Sequence, residues 1–313
     1  MHVIIVGNGL AGLALALKCS EKGHSVTVIS KCDIDSSNSW YAQGGIAASS
    51  SEEDIISHIE DTIKAGANHN NRNIVTNICN MASACIQSLS NYNINFNEHL
   101  SKEGGHSTHR IHNMNDETGK RIITDLFEQI KQKENITTCF NEFVYELIVD
   151  SKKCKGVRCF SKDSYGRIVC NDRFADSVVL CTGGIGSIYG NHSSNPIEST
   201  ADGMALAHKA GVDLLDLEFI QFHPTGLDSD NKKLLITEAL RGEGATIVNS
   251  DLKRFMSSEL TTRDILSRGI FQEQSKGIGK IYLDVRHLYR FEQRFPMIAK
   301  QCKHYDGLIP ITP

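Results

Sequence analysis

The chain has 313 residues, 40% of them hydrophobic and 22% charged, with a net charge of −4 at neutral pH. That length predicts two packed units with sizeable cores. The composition is that of an ordinary soluble globular protein, and the weakly negative balance excludes the basic footprint of a nucleic-acid binder. Ten scattered cysteines form no Cys-x-x-Cys pair and no Cys/His spacing of zinc type, so they are expected to be reduced, partly buried thiols with no metal role. A glycine loop opening at residue 7 leaves no room for a signal or transit peptide, and no apolar run reaches the roughly 18 residues that span a bilayer. A cytoplasmic protein with no membrane partner is expected.

Val3 to Val6 is a short, continuously apolar, β-branched run that stops at glycine, the pattern of a parallel strand buried on both faces. Leu10 to Glu21 follows with Leu10, Leu13, Ala14 and Leu17 at helical spacing, Gly23 supplies the stop, and a second strand runs from Ser25 to Ser30. Within Gly7-Asn8-Gly9-Leu10-Ala11-Gly12, Gly7 permits the tight turn and Gly9 lets backbone approach a pyrophosphate. Gly12 allows close helix–strand packing, and the helix N-terminus attracts phosphate. Such a glycine run alone is weak; a strand before and a helix after favour a dinucleotide site over a plain glycine turn. The acid that grips an adenosine ribose at the end of the second strand is replaced by Ser30 and Lys31. Lys31 is then expected to serve a flavin dinucleotide through its backbone or the phosphate, although the fingerprint alone does not choose the dinucleotide.

Asn38, Ser39, Trp40, Tyr41, Ala42, Gln43, Gly44 and Gly45 open a small-residue loop, continuing to Ala48, whose glycines let backbone amides face a ligand; an ordinary glycine loop is the alternative. Helical spacing marks Glu53 to Ala65, Ile74 to Leu89 and Asp116 to Gln132 as scaffold. Residues 97–112 between them are dense in ionisable groups, either solvated surface or a ligand-facing loop. Strands at 143–149, 156–160 and 167–170, with a turn at Gly166, predict an antiparallel meander. Ser177 to Cys181 resumes the buried parallel pattern and runs into Thr182, Gly183 and Gly184, a second glycine turn at a sheet's carboxyl edge. Val144, Thr182, Gly183 and Gly184 are assigned to the cofactor with the first loop. Asp202, before a helix from Met204 to Ala210, is either an N-terminal helix acid or a cofactor contact.

From about 217 the chain is richer in Arg, His and Thr, and a domain boundary is expected there. The runs EFIQFHPT (218–225), TEALRGEG (237–244) and TRD (262–264) concentrate cations around small polar groups. Guanidiniums grip carboxylates bidentately and an imidazole adds a tunable charge, which is the chemistry of a dicarboxylate pocket. Read singly, His223 is as consistent with a core histidine before a proline turn, and Glu238 with Arg241 as a helix-surface ion pair three residues apart.

Together with YAQGGIAA (41–48), EGGHS (103–107) and RFM (254–256), these segments resemble the flavoprotein subunits of succinate dehydrogenase and fumarate reductase, and most closely the L-aspartate oxidases, from Val3 to Pro313. The resemblance implies an α/β fold: a Rossmann-like FAD-binding domain with a β-meander over 1–216 and an α+β capping domain over 217–313. It implies FAD-dependent oxidation of L-aspartate to iminoaspartate at the head of NAD biosynthesis, with hydride passing from C2 to flavin N5 and O2 or fumarate as acceptor. Membrane-linked relatives bond FAD to a histidine where this chain has Asn38, so the flavin is expected to be noncovalent. Glu103 is expected near the substrate ammonium, His223, Thr237 and Arg241 at its carboxylates, and Glu238 in a proton relay. Arg263 matches the family's acid/base. A guanidinium resists deprotonation, so burial and nearby cations are expected to destabilise its charge and make it a transient relay and clamp; the alternative is a structural arginine at a helix start capped by Thr262.

The resemblance also implies elements after Pro313: a returning stretch of the FAD domain, a further histidine and arginine for the substrate, and a helical domain. A separately encoded C-terminal portion and a quinolinate synthase receiving the imine are the partners it implies. The alternatives are a soluble fumarate reductase or succinate dehydrogenase-like flavoprotein and a noncatalytic, truncated FAD-binding remnant.

Overall fold

A computed structural model describes residues 1–229, 234–277 and 279–313. In chain order they form β1 (His2–Val6), α1 (Leu10–Glu21), β2 (Ser25–Ile29), β3 (Ile46–Ala47), α2 (Glu52–Ala65), α3 (Arg72–Ser90), β4 (Ile111–His112), α4 (Thr118–Lys131), β5 (Ile136–Cys139), β6 (Phe143–Asp150), β7 (Lys153–Lys162) and β8 (Ile168–Phe174). After these come β9 (Ser177–Leu180), α5 (Asp202–Lys209), β10 (Gly226–Leu227), α6 (Ala239–Gly242), β11 (Thr246–Val248), α7 (Arg263–Ser275), β12 (Ile281–Asp284), α8 (Phe291–Arg294), α9 (Pro296–Cys302) and β13 (Leu308–Thr312). The helices and strands expected from spacing are present with ends moved by a few residues, as fraying and capping allow.

The chain divides into two compact units, one of Met1–Tyr41 with Gly119–Ile220 and one of Ala42–Thr118 with Gln221–Pro313. This differs from a single boundary at 217, because the 42–118 segment is tied to the later residues. Gly105 donates its backbone N–H to the Leu260 carbonyl at 3.0 Å, and Asp116 accepts the Ile298 N–H at 3.0 Å at the start of α9.

In the first unit a parallel sheet runs β5-β2-β1-β9, and β6-β7-β8 form the expected antiparallel meander. The β-branched residues of β1 and β2 are buried because the sheet is covered: Ile4, Val6 and Ile29 pack with Val144, Val157 and Leu206. The glycine turn is enforced by close approach. Gly7 has φ +116°, and a Cβ there would run into the Cys181 carbonyl just past β9, while a Cβ on Gly12 would run into the Gly7 carbonyl. Only glycine satisfies both demands at Gly7.

The second unit is built on an antiparallel sheet, β10-β13-β12-β11. Its core joins Ile247, Leu283 and Ile309 from the strands to Leu240, Leu266 and Ile270 from α6 and α7. The short β3–β4 pair carries the loop around Gly45, whose φ of +133° and approach to the His112 carbonyl and Ile111 side chain again require glycine. Thr262 stands at the N-cap of α7, but its hydroxyl donates to Asp264 Oδ1 at 2.6 Å instead of capping the helix.

Gly7→Ala combines a strained φ with a backbone collision, and is expected to cost about 1–3 kcal/mol or more. Urea unfolding checks this: an unchanged midpoint would mean that the β1 and β9 ends separate freely.

Candidate active site

A cavity of about 320 Å³ opens in the first unit where β1, β2 and β9 end. Gly7, Asn8, Gly9, Leu10, Ala11, Lys31, Asn38, Ser39, Val144, Thr182, Gly183 and Asp202, all expected from the sequence, line it. Gly12 stands behind the turn, and Trp40, Tyr41 and Gly184 are outside the lining. Ala42, Gln43, Gly44 and Gly45 belong to the second unit. Ser39 Oγ accepts the Leu10 N–H at 3.1 Å, and Asn8 reaches the Cys32 carbonyl at 3.1 Å, fixing the loop against the end of β2. Lys31 Nζ donates to Thr200 Oγ1 at 2.9 Å and is paired with Asp202, which is therefore both the first residue of α5 and a wall of the cavity.

Glu142 also lines the cavity and was not anticipated. Its carboxylate takes a bidentate grip from Arg173 at 2.8 and 2.9 Å and the Cys159 thiol at 2.6 Å. Burial and this carboxylate push the Cys159 thiol up to about 12. The partner arginine lies 31 residues away on β8, so no local pattern reveals the pair.

In the second unit Glu238 is buried between two guanidiniums. Its Oε2 accepts Arg263 Nε at 2.7 Å, and its Oε1 lies 2.8 Å from Arg241 Nη2 without the alignment of a hydrogen bond. Arg241 donates Nη1 to the Glu259 carbonyl at 2.6 Å, while its Nε and Nη2, both buried, have no hydrogen-bond partner. Arg263, 37% exposed at its side chain, also donates Nη1 to Gln221 Oε1 at 2.9 Å. The expectation of a buried Arg263 meets a different arrangement: the more buried guanidinium is Arg241, and Arg263 donates a hydrogen bond to the Glu238 carboxylate. Both glycine loops approach this cluster. A Cβ on Gly44 would run into the Glu103 carboxyl and sit 3.7 Å from Thr237 Oγ1, and one on Gly104 would run into Glu238 Oε1 and stand 3.4 Å from Arg241 Nη1.

The charges follow from this packing. Burial, then the neighbouring Glu238 charge, raises Glu103 to about 7 despite Arg263 and Arg241. Burial acts against ionised Glu238 too, but Arg241 and Arg263 outweigh it and hold Glu238 below its ordinary value. For His223, burial and then Arg263 and Arg241 lower the imidazole to about 3, against Glu238. The tunable positive charge expected of His223 is thus absent at neutral pH. Its Nδ1 accepts the Thr225 N–H at 3.3 Å, which assigns the ring proton to Nε2. The Glu238–Arg241 pair is not on a surface: the two side chains are 4% and 0% exposed.

The loop 97–112 is not simply solvated. Arg110 is fully buried and every one of its nitrogens is engaged, by Asp54, Ser57 and Asp61 of α2 and by His106 and Ser107 of its own loop. Burial raises Asp54, yet the Arg110 and Thr108 hydrogen bonds prevail and bring it to about 2.

Residues 2–311 match the model of the FAD binding domain family. The chain belongs to that family. It is 39% identical to the L-aspartate oxidase of Bacillus subtilis over 99% of this chain and 60% of that protein, and 34% identical to that of Clostridium acetobutylicum over 99% and 74%. Among solved structures, the E. coli quinol fumarate reductase FrdA superposes with a TM-score of 0.90 at 27% identity, covering 100% of this chain and 60% of that one. A flavocytochrome c3 fumarate reductase gives a TM-score of 0.73 at 28% identity over 98% and 55%. The chain thus spans about three fifths of the length of most of these relatives.

For a member of the FAD binding domain family, the first unit's cavity fits its group. The Gly7–Ala11 turn and the α1 N-terminus line the space, which suits a diphosphate, while Lys31 in the same wall is already paired with Asp202. Among the described residues no helix is long and apolar enough to cross a membrane.

Glu103 provides a pH test. With its folded value raised from 4.5 to about 7, the folded chain keeps a proton there that the unfolded chain has released, so stability falls as pH rises through that window. His223 acts in the opposite sense below its ordinary value, so comparison with a variant isolates Glu103. Glu103→Gln is expected to gain on the order of 2 kcal/mol relative to the parent between pH 5 and pH 8. Urea midpoints at the two pH values check it, and a constant difference would remove the raised carboxyl.

Proposed function

We propose that this chain binds FAD noncovalently and oxidises L-aspartate to iminoaspartate, with O2 or fumarate taking the electrons, in the first reaction of NAD synthesis. The observation that carries this reading is Arg241, a fully buried guanidinium whose Nε has no partner and whose Nη2 meets only Glu238 Oε1 at 2.8 Å, beside a carboxyl raised to about 7. A buried cation left so incompletely satisfied is costly unless an anion completes it. Its position beside Glu103, Thr237, Glu238 and Arg263 asks for a small ligand with both carboxylate and ammonium groups.

FAD, when bound, supplies the two-electron acceptor. The chain's own residues hold the diacid: Arg241 and Arg263 face its carboxylates, with hydrogen bonds from Thr237 and the neutral His223. With Glu103 protonated, the cluster sets two guanidiniums against the single Glu238 carboxylate and carries one net positive charge, which suits the single net negative charge of aspartate. An arriving ammonium favours ionised Glu103, which then holds it by a charge-assisted hydrogen bond. Arg263 and Glu238, joined at 2.7 Å, form the path by which a proton leaves the amino group or reaches a carbon acceptor. Asn38 donates to Ser199 Oγ at 2.6 Å, and a carboxamide offers no ring nitrogen for a flavin bond.

The similarity to fumarate reductases supports fumarate as one acceptor. The imine hydrolyses readily in water, which makes direct passage to a quinolinate synthase advantageous. In the first unit β9 ends the sheet, and Val212, Leu215 and Leu217 beyond α5 are 54%, 81% and 45% exposed. This edge suits further family sequence, continuous or separately encoded, as a partner.

L-aspartate added without oxygen is expected to bleach the flavin band of the loaded protein. Arg263→Leu is expected to slow bleaching by about 100-fold or more while the flavin stays bound. A yellow protein blind to aspartate but reoxidised by fumarate after dye reduction would identify a fumarate reductase, and a folded colourless chain a noncatalytic remnant.

A further inference from the structure

Ser101 and Ile111 exchange both backbone hydrogen bonds, at 3.1 and 3.0 Å, and so close the neck of an excursion from 102 to 110. Its first arm carries Glu103 and Gly104 to the Glu238–Arg241 cluster, where Gly105 donates to the Leu260 carbonyl at 3.0 Å. Its second arm faces α2. Arg110 there donates Nε and Nη2 to Asp54 Oδ1 at 3.0 and 2.8 Å, Nη2 to Ser57 Oγ at 2.7 Å, and Nη1 to Asp61 Oδ2 at 2.7 Å. Asp54, Ser57 and Asp61 recur at i, i+3 and i+7, so one helix face presents all three. Asp61 also accepts the Ser107 N–H and hydroxyl at 2.7 and 2.8 Å, Thr108 donates to Asp54 at 2.6 Å, and Lys102 reaches across the loop to the Ser107 carbonyl at 3.0 Å.

We propose that Arg110 is a positioning residue for recognition of the substrate's amino group: by fastening the second arm to α2 it fixes where the first arm holds Glu103. This rests on the reading of the second unit as an aspartate site. Arg110 has no nitrogen left for a ligand, so its effect passes through the loop. The carboxylate-binding groups Thr237 and Arg241, on 237–241, and Arg263, at the start of α7, lie outside the 102–110 excursion. Loosening the loop therefore penalises the ammonium contact selectively, and a merely structural role would penalise both ends of the substrate alike.

In the flavin-loaded protein, Arg110→Lys and Asp61→Asn are each expected to raise KM for L-aspartate about tenfold and change kcat less than about threefold. The inhibition constant of succinate, which has both carboxylates and no ammonium, is expected to move less than about twofold. Adding Glu103→Gln to Arg110→Lys is expected to bring little further loss of that selectivity, since both act on one contact. Equal movement of the aspartate and succinate constants, or fully additive effects, would overturn the proposal. Amide exchange at Gly105 is a readout independent of turnover, expected to be about tenfold faster in Arg110→Lys. Unchanged exchange sinks the loop's role even if aspartate is oxidised. A parent protein that binds no aspartate sinks the ammonium-recognition proposal together with the aspartate reading, while faster Gly105 exchange in the variant would still report the clamp by itself. If Arg110→Lys fails to fold, Thr108→Val, which removes only the bond to Asp54, is expected to give the same selectivity change at about threefold.

Discussion

One carboxylate organises the second unit. Glu238, 4% exposed, takes a hydrogen bond from Arg263 and lies against Arg241, so two guanidiniums are gathered at the start of a four-residue helix too short to orient them by itself. Ionised groups out of water are unstable unless paired, and Glu238 pairs only part of the positive charge it collects. What remains is a buried Arg241 Nε without a hydrogen-bond partner and two guanidiniums set against one carboxylate, which on the reading proposed above is where an anion binds. Burial, helped by the same guanidiniums, keeps His223 neutral, so the imidazole contributes a directional hydrogen bond and the guanidiniums contribute the charge.

Two glycines make that cluster possible. Side chains at Gly44 and Gly104 would occupy the space of the Glu103 and Glu238 carboxyls, so the two acids approach one another with backbone, not side chains, around them. Burial first and the nearby Glu238 charge second raise Glu103. A carboxyl brought beside a second carboxylate in a poorly solvated pocket holds its proton until a cation arrives. The glycine content of a loop and the protonation of an acid 59 residues away are thus one physical fact seen from two sides.

How legible each part was in the sequence follows from how local its causes are. The β1–α1–β2 unit, the turn at Gly7 and the meander were readable because strand, glycine and helix succeed one another within a few residues. Residues of the buried charged cluster were nameable through motif resemblance, but not their charge states, since those depend on contacts between segments at 103, 223, 238 and 263. Arg110 escaped notice because its partners lie 49 and 56 residues earlier and its loop has the composition of solvated surface. Glu142 escaped for the same reason, its arginine lying on another strand. The single boundary near 217 reflects a composition change, whereas packing groups 42–118 with the later residues through contacts that composition does not encode.

Discrimination between aspartate and succinate must come from the amino end, because guanidiniums, threonine and a neutral imidazole treat the two diacids alike. On the reading proposed here only Glu103 offers a carboxylate for that end, and its proton affinity near neutrality lets it change state on binding. Such a group is selective only if its distance from the carboxylate anchors is fixed, since a mobile carboxylate would relax toward water and lose the contrast. The loop that carries it has two glycines and no helix or strand of its own at Glu103. Rigidity has to be imported, and the closed neck at Ser101 and Ile111 together with the buried Arg110 bound to one face of α2 is the structural source of it.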